Sequence, residues 1–385
     1  MPSGWGSGTA HSRLVVESGS DLVVVGAGIV GLSHAWHAAR AGLRVIVIER
    51  DERAVGASVR NFGHVCTTAQ AGEVLDLAVV AREEWLRLGA EAALPILRNG
   101  TVVVARTAAQ ARVLDEFEAE RGAAVRPLTP HGSADLLGFA PPGMVAAAHL
   151  PQDLRVDPTT ASAAFASYLE RLGVVFQWRT NVLDLQPGVV RTTRGTIRTT
   201  RTIVAVGHDV DRFFPDVADA HGLVRCRLRM MEVDPPTGAL PPALLTGSSM
   251  LRYDGLAQQP SAVDVRAELL AESPALLEQG VNLMLTQRPN GRLVIGDTHH
   301  YGVTEDPFED EASDSLVLRE MERLFGTTLV VRRRWRGVYA SSAKAPFLVT
   351  EPMPEVTVAS VTTGIGMTTA LGLAKRVLEQ TLVTT

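Results

Sequence analysis

The chain has 385 residues and a formal net charge of -5, from 37 Lys and Arg against 42 Asp and Glu. That length supports one large domain or two closely joined ones with a sizeable core, and the mild acidity excludes a global basic field for nucleic acid. Its two cysteines, Cys66 and Cys226, supply neither a disulfide framework nor a metal pattern. No apolar run reaches transmembrane length. Residues 1–19 are Gly/Ser-rich, lack the apolar stretch of a signal peptide and read as a disordered tail. A cytoplasmic location is expected.

Residues 21–49 organise the rest. A β-branched run at 22–25 is too short for a helix and suits a buried parallel strand. Gly26-Ala27-Gly28-Ile29-Val30-Gly31 follows at once, then an Ala-rich helical stretch to Arg40, a C-cap at Gly42 and a second strand at 45–48. Glu49 closes that strand, 23 residues after Gly26. The spacing is that of a dinucleotide site. Gly26 makes the tight turn, Gly28 lets backbone approach a pyrophosphate, and Gly31 lets helix and strand pack closely. Free N–H groups at the helix start face the phosphates. Glu49 accepts from ribose hydroxyls, which disfavours NADP.

Beyond Arg50, residues 56–70 form a long loop or broken helix carrying Ser58, Arg60, Asn61, His64 and Thr67, of a length that is usually functional. Residues 71–88 read as an amphipathic helix, 98–105 as a strand, 107–121 as a charged helix and 127–142 as a turn-rich return to the nucleotide unit. Asp157-Pro158 starts a helix that ends at Gly173, before a strand at 174–178. A hairpin-like passage at 182–200 leads into a buried strand ending at Val206-Gly207. From 221 to 335 alternation dominates, with a helix near 314–324. A last strand at 356–361, the glycines of Gly364-Ile365-Gly366, and a helix from Thr368 close the chain.

These motifs resemble the glycine oxidase / D-amino-acid oxidase (DAO) family of FAD-dependent oxidoreductases. The resemblance rests on Gly26 to Gly31 with Glu49, the Ser58 loop, Val156-Asp157-Pro158, Ala205-Val206-Gly207 and Gly364 to Gly366. Ser58-x-Arg60-Asn61-Phe62-Gly63, Gln287-x-Pro289-x-Gly291, Gly296-Asp297-x-His299-x-Tyr301-Gly302 and Gly364 to Thr369 further resemble the subgroup associated with aminophosphonate breakdown. The fold implied is α/β: a Rossmann-like FAD-binding domain of the GR2 type (20–88, 145–222 and 335–385) interleaved with a mainly antiparallel α+β substrate domain (89–144 and 223–334).

The resemblance implies FAD contacts from Gly26, Ala27, Gly28, Ile29, Val30, Gly31, Glu49, Arg50, Ser58, Arg60, Asn61, Val182, Val206 and Gly207. The turn Gly364, Ile365, Gly366, Met367, Thr368 and Thr369 would stabilise charge on the reduced flavin. Arg60 stands where some relatives carry a histidine joined to FAD, so the cofactor is expected to be non-covalent, with neighbouring His64 the one alternative. The reaction implied is oxidation of a C–H bond beside nitrogen by hydride transfer to flavin N5, with oxygen or another acceptor taking the electrons. The family's substrate-clamping arginine falls at Tyr339, and its second arginine at Met367, so the usual carboxylate clamp is missing. Arg60, Lys344, Arg252 and the hydroxyls of Ser341 and Ser342 are the replacements on offer for an anionic amine. His299 is the candidate to accept an amine proton or orient the substrate, with Asp297 orienting it or capping its turn; only one of His299 and His300 should face the pocket. Tyr301 and Gln287 are further candidates. Arg225, Arg227, Arg229 and Arg332 to Arg334 read as solvated charge. Oxidation of a hydroxyl-bearing carbon, and a non-catalytic or NAD-binding protein, are the competing readings. A monomer or homodimer is expected, with no membrane or nucleic-acid partner and no metal.

Overall fold

A computed structural model describes residues 19–382; all but the last residue of the expected tail lies outside the described residues. Strands Ser20–Val25 and Val45–Ile48 pair in parallel, and Gly195–Val204, Val356–Val361 and Val175–Gln177 extend the same sheet in parallel. Phe347–Met353 adds an antiparallel edge. The continuous apolar runs are explained by burial on both faces. On one face Leu22, Val24 and Val47 pack with Leu32, Trp36, Trp85, Phe165 and Leu371 from four helices, Ile29–Arg40, Gly72–Ala92, Pro158–Arg171 and Gly366–Leu382. On the other, Val23, Val25 and Ile46 meet Leu185, Val190 and Ile197. Those three come from Val182–Gln186, Val189–Thr192 and Gly195–Val204, a three-stranded meander where a hairpin was expected, because turns fall on both sides of the middle strand.

The second sheet has nine strands and is antiparallel except where Ala243–Leu245 runs parallel to Thr101–Ala105. It takes in two strands that the expected boundaries give to the nucleotide unit. Ala146–Leu150 hydrogen-bonds along Thr101–Ala105, and Val331–Ser341 along nearly all of Val224–Val233. Backbone pairing therefore moves those junctions past 150 and 341. Residues 127–142 also stay in this unit, where Thr129 caps a helix at Pro130–Leu137 and Gly138 ends it in the left-handed region. Between 247 and 278 four helices interrupt the expected mainly antiparallel region; the longest, Ala262–Glu272, buries only Ala262 and Val265, too short a stripe to read from the sequence.

Two features fix the last helix against the nucleotide unit. A Cβ on Gly372 would lie 2.3 Å from the Leu77 carbonyl oxygen, so the helix crosses Gly72–Ala92 in near contact. Trp85 Nε1 donates to the Met367 carbonyl at 2.7 Å, anchoring the helix start. Among the described residues no helix is long and apolar enough to cross a membrane.

Candidate active site

One cavity of about 820 Å³ runs from the first glycine turn to the second sheet. At its nucleotide end Gly26 has φ +105°, and a Cβ there would sit 2.4 Å from the Ala205 oxygen. A Cβ on Gly31 would come within 1.9 Å of the Gly26 oxygen, so the helix can approach the strand only without side chains. Gly28, Ile29 and Val30 line the cavity; Ser58 Oγ accepts from Ile29 N at 2.8 Å and caps this helix start. Glu49 is held on the wall by Ala27 N at 2.9 Å and Asp51 N at 3.1 Å. Arg50, Val182, Val206 and Gly207 also face the space, Arg50 with one N–H on Asp209 at 2.7 Å. Asn61 lines it and folds its own loop, donating to the Ala57 and Ser58 carbonyls and accepting from Gly63 N. Ala27, Gly31 and Thr369 stand back from the wall, and the Thr369 hydroxyl donates to the Ile365 carbonyl.

A second helix start opens on the same cavity through Gly364, Ile365, Gly366, Met367 and Thr368. Cys66 N donates to Thr368 Oγ1 at 3.2 Å, tying the Ser58 loop to this turn. Two positive helix ends and a wall of bare glycine backbone thus share one elongated space. This arrangement fits a pyrophosphate near Gly28 and a ring that gains negative charge near Gly366.

The end toward the second sheet is dominated by Arg252. Its Nη2 donates to the Tyr339 hydroxyl at 2.8 Å and lies 3.5 Å from the Thr363 carbonyl, and among the described residues no carboxylate lies within ion-pair distance of it. Burial lowers the Arg252 pKa and the ionisable groups around it, Tyr339 first, raise it by more, so the guanidinium is charged at any working pH. Asp297 is buried, and desolvation pushes its carboxyl up to about 7 even though Arg252 pulls the other way. Its Oδ1 has no partner, nor has the buried Asn282 Oδ1 beside it. Burial drives the hydroxyls of Tyr253 and Tyr339 well above their ordinary range, so both are neutral donors.

His299 faces this cavity and His300 does not, as alternation requires. The expected proton-accepting role of His299 needs correction. Burial first, then Arg252, lowers its pKa to about 3, so the ring stays neutral. Nδ1 lies 2.8 Å from the Gly280 carbonyl and must carry the proton; Nε2 is left with a lone pair, 3.8 Å from Asp297 Oδ2. His299 can accept a hydrogen bond but cannot hold a second proton.

His64 lies in the same wall, buried, on the short strand His64–Val65. The Thr101 hydroxyl donates to Asp153 Oδ2 at 2.7 Å and therefore accepts from His64 Nε2, also at 2.7 Å. Burial opposes the Asp153 charge, but the contacts from His64, Thr68 and Thr101 outweigh it and hold the carboxylate ionised. His64 Nε2 also lies 3.5 Å from Asp153 Oδ2, and its Nδ1 is buried and without a hydrogen-bond partner among the described residues. Ligand atoms of His64, Cys66 and Asp153 lie within 4.8 Å of one another. This hydrogen bonding, with a Cys66 thiol pushed well up by burial, accounts for the grouping.

Several expected residues serve other ends. Gln287 does not border the cavity: Oε1 accepts from Leu240 N at 2.7 Å and Nε2 donates to the Gly291 carbonyl at 2.8 Å, bracing a turn. Lys344 borders it but is exposed, its Nζ 2.7 Å from the Ala220 carbonyl, and the Ser342 hydroxyl is spent on the His221 carbonyl. Arg60 lines the cavity from an exposed position, donating to the Arg336 carbonyl at 3.3 Å. Tyr301 is mostly exposed, with its ring 6.5 Å from that of His299. Arg225 and Arg229 are not merely solvated: Arg225 is buried against Asp209 and Asp211, and Arg229 pairs with Asp314. Arg332 to Arg334 do form an exposed edge. The sequence reading passed over Thr101, Asp153, Tyr253 and Asn282, which lie on separate elements and share no motif.

The chain matches the family described as FAD dependent oxidoreductase over residues 21–380. It is 28% identical over 207 residues to glycine oxidase from Bacillus licheniformis, a match that spans 49% of this chain and 54% of that one, about half of each. Glycine oxidase from Geobacillus kaustophilus superposes with a TM-score of 0.75 at 19% identity, covering 94% of both chains. Iminodiacetate oxidase from Chelativorans sp. BNC1 superposes with a TM-score of 0.72 at 17% identity, covering 93% of this chain and 95% of that one. At such identities the superpositions show the fold. The family match and the glycine-walled cavity together establish that the chain belongs to the DAO family of FAD-dependent oxidoreductases.

Proposed function

We propose that the chain oxidises the C–H bond beside the nitrogen of a small acid-bearing amine, and that Arg252 holds the acid. The observation that carries this reading is a charged guanidinium on the cavity wall that no carboxylate of the described residues approaches to ion-pair distance, its acidic neighbour Asp297 being raised to about 7 by burial. A charge in such a place is normally paired, and a substrate anion supplies the pair. Arg252 reaches the hydroxyl of Tyr339, the position where the resemblance expects an arginine, so the missing cation arrives from another segment. Because Tyr339 accepts from Arg252, its own O–H is left to donate to the same anion. One charged donor and one neutral donor suit a phosphonate as readily as a carboxylate. Among the structural relatives, one is named for iminodiacetate, and the partial sequence match is to a glycine oxidase.

Bound FAD, expected to be held non-covalently by the two helix starts and Glu49, supplies a two-electron acceptor for the substrate C–H. The protein's part is binding, orientation and exclusion of water. The bare Nε2 of His299 accepts a hydrogen bond from the amine N–H and so orients the nitrogen. The ring of His64, fixed through Thr101 and Asp153, offers a second polar contact in the same wall. Leu228, Met230 and Met284 line the cavity and keep water out until the imine has formed. Hydrolysis then yields a carbonyl compound and an amine or ammonia, and oxygen or another acceptor takes up the electrons. The test is anaerobic bleaching of the flavin by a panel of aminophosphonates, N-methyl amino acids, amino acids and hydroxy acids, with released nitrogen assayed. Bleaching by acid-bearing amines with nitrogen release supports the reading; bleaching by hydroxy acids alone contradicts it.

A further inference from the structure

A second cavity, of about 90 Å³, lies between the start of helix Pro158–Arg171 and the strand end at Gln287-Arg288. Its walls are largely apolar, from Phe62, Leu94 and Val156, but two arginines also line it, Arg155 and Arg288. Arg155 is 5% exposed, and among the described residues its guanidinium has no hydrogen-bond acceptor; Nη1 is sealed from solvent as well. No charged neighbour offsets this, and burial alone pulls its pKa down to about 10. Arg288 donates Nη1 to Glu232 and lies over the Trp335 ring, but its buried Nε also lacks a partner. The acid at the rim, Asp157, caps the helix, its Oδ1 taking the N–H and the hydroxyl of Thr159, and forms no ion pair with Arg155.

A buried, uncompensated charge is strongly destabilising. Water can satisfy the N–H groups but cannot balance the charge. The cavity is small, with room for a few waters or a small ion. We propose that this cavity is a binding site for a small inorganic anion, held between Arg155 and Arg288. Phe62, from the loop beside the cofactor cavity, lines both spaces. A bound anion therefore braces that loop from behind.

The experiment follows the melting temperature of the flavin-loaded protein at constant ionic strength, with gluconate, too large for the site, replaced stepwise by chloride or by inorganic phosphate. The wild type is expected to show a saturable rise of about 3–5 °C with at least one of the two ions. Arg155→Met should abolish the rise and melt no lower than the wild type in gluconate, since it removes the unpaired charge. Arg155→Lys should keep a weaker rise, which covers the case in which the methionine variant does not fold. Arg252→Met must leave the rise intact, which separates this cavity from the substrate end of the larger one. No saturable rise in the wild type overturns the proposal. So does an undiminished rise in Arg155→Met, or its loss in Arg252→Met.

Discussion

Arg252 and Tyr339 meet at 2.8 Å across the cavity, one from a turn between short helices and the other from the long strand Val331–Ser341. The strand position that the family resemblance assigns to an arginine holds the acceptor of this bond. Tyr339→Phe keeps the ring but removes the hydroxyl that orients Arg252 and donates to the anion. KM for an acid-bearing amine should rise about 10- to 150-fold, the value of one hydrogen bond to charge, with the limiting rate of flavin reduction changed less. Stopped-flow reduction across substrate concentrations checks it.

Gly364 makes that meeting possible. It has φ +78°, and a Cβ there would lie 2.8 Å from Tyr339 Cζ and 3.0 Å from its hydroxyl oxygen. The ring cannot retreat without breaking its bond to Arg252. Gly364→Ala should destabilise the fold by about 1–3 kcal/mol and raise KM as Tyr339→Phe does. Thermal melting together with substrate titration of the variant tests both parts.

Asp297 supplies a pH dependence. Its carboxyl is raised by burial to about 7, so between its unfolded value near 4 and 7 the folded chain holds a proton that the unfolded chain has released. The stability it contributes is full below the unfolded value and is lost as pH rises through about 7. Once ionised, Asp297 also competes with the substrate anion for Arg252. The ratio of wild-type KM to that of Asp297→Asn should be flat below pH 7 and grow above it by up to about tenfold per pH unit. The melting temperature of Asp297→Asn should lose the decline between pH 4 and 7.

His299 should leave no ionisation near pH 6.5 in the rate profile, because the ring is neutral down to about pH 3. His299→Ala should slow flavin reduction at saturating substrate by about 10- to 100-fold through lost orientation, with the shape of the pH profile unchanged. A profile that loses a limb near 6.5 in this variant contradicts the assignment of its tautomer.

The nucleotide unit was legible because each of its parts is local. Strand, glycines, helix and Glu49 fall within residues 20–49, and the contacts of Gly26 and Gly31 are those that their spacing requires. The substrate end was legible only in outline. Tyr339 in place of the expected arginine signals that the cation must come from elsewhere, but Arg252 sits in Met250-Leu251-Arg252-Tyr253, where no period distinguishes it from an exposed arginine such as Arg332. Gln287 misled because a strand-end glutamine reads alike whether it faces a ligand or braces a turn. The neutrality of His299 follows from burial and from a cation 47 positions away in the chain, neither of which its own surroundings in the sequence express.

Anaerobic reduction of the flavin by the best acid-bearing amine of the panel, compared between the wild type and Arg252→Met, tests the central claim most directly. With Arg252 as the anchor, half-saturation should rise about 30- to 1000-fold, the range for removing one partner of a buried charge pair, while the neutral counterpart of the same amine, esterified or lacking the acid, reacts equally with both proteins. An unchanged half-saturation for the acid-bearing amine would contradict it.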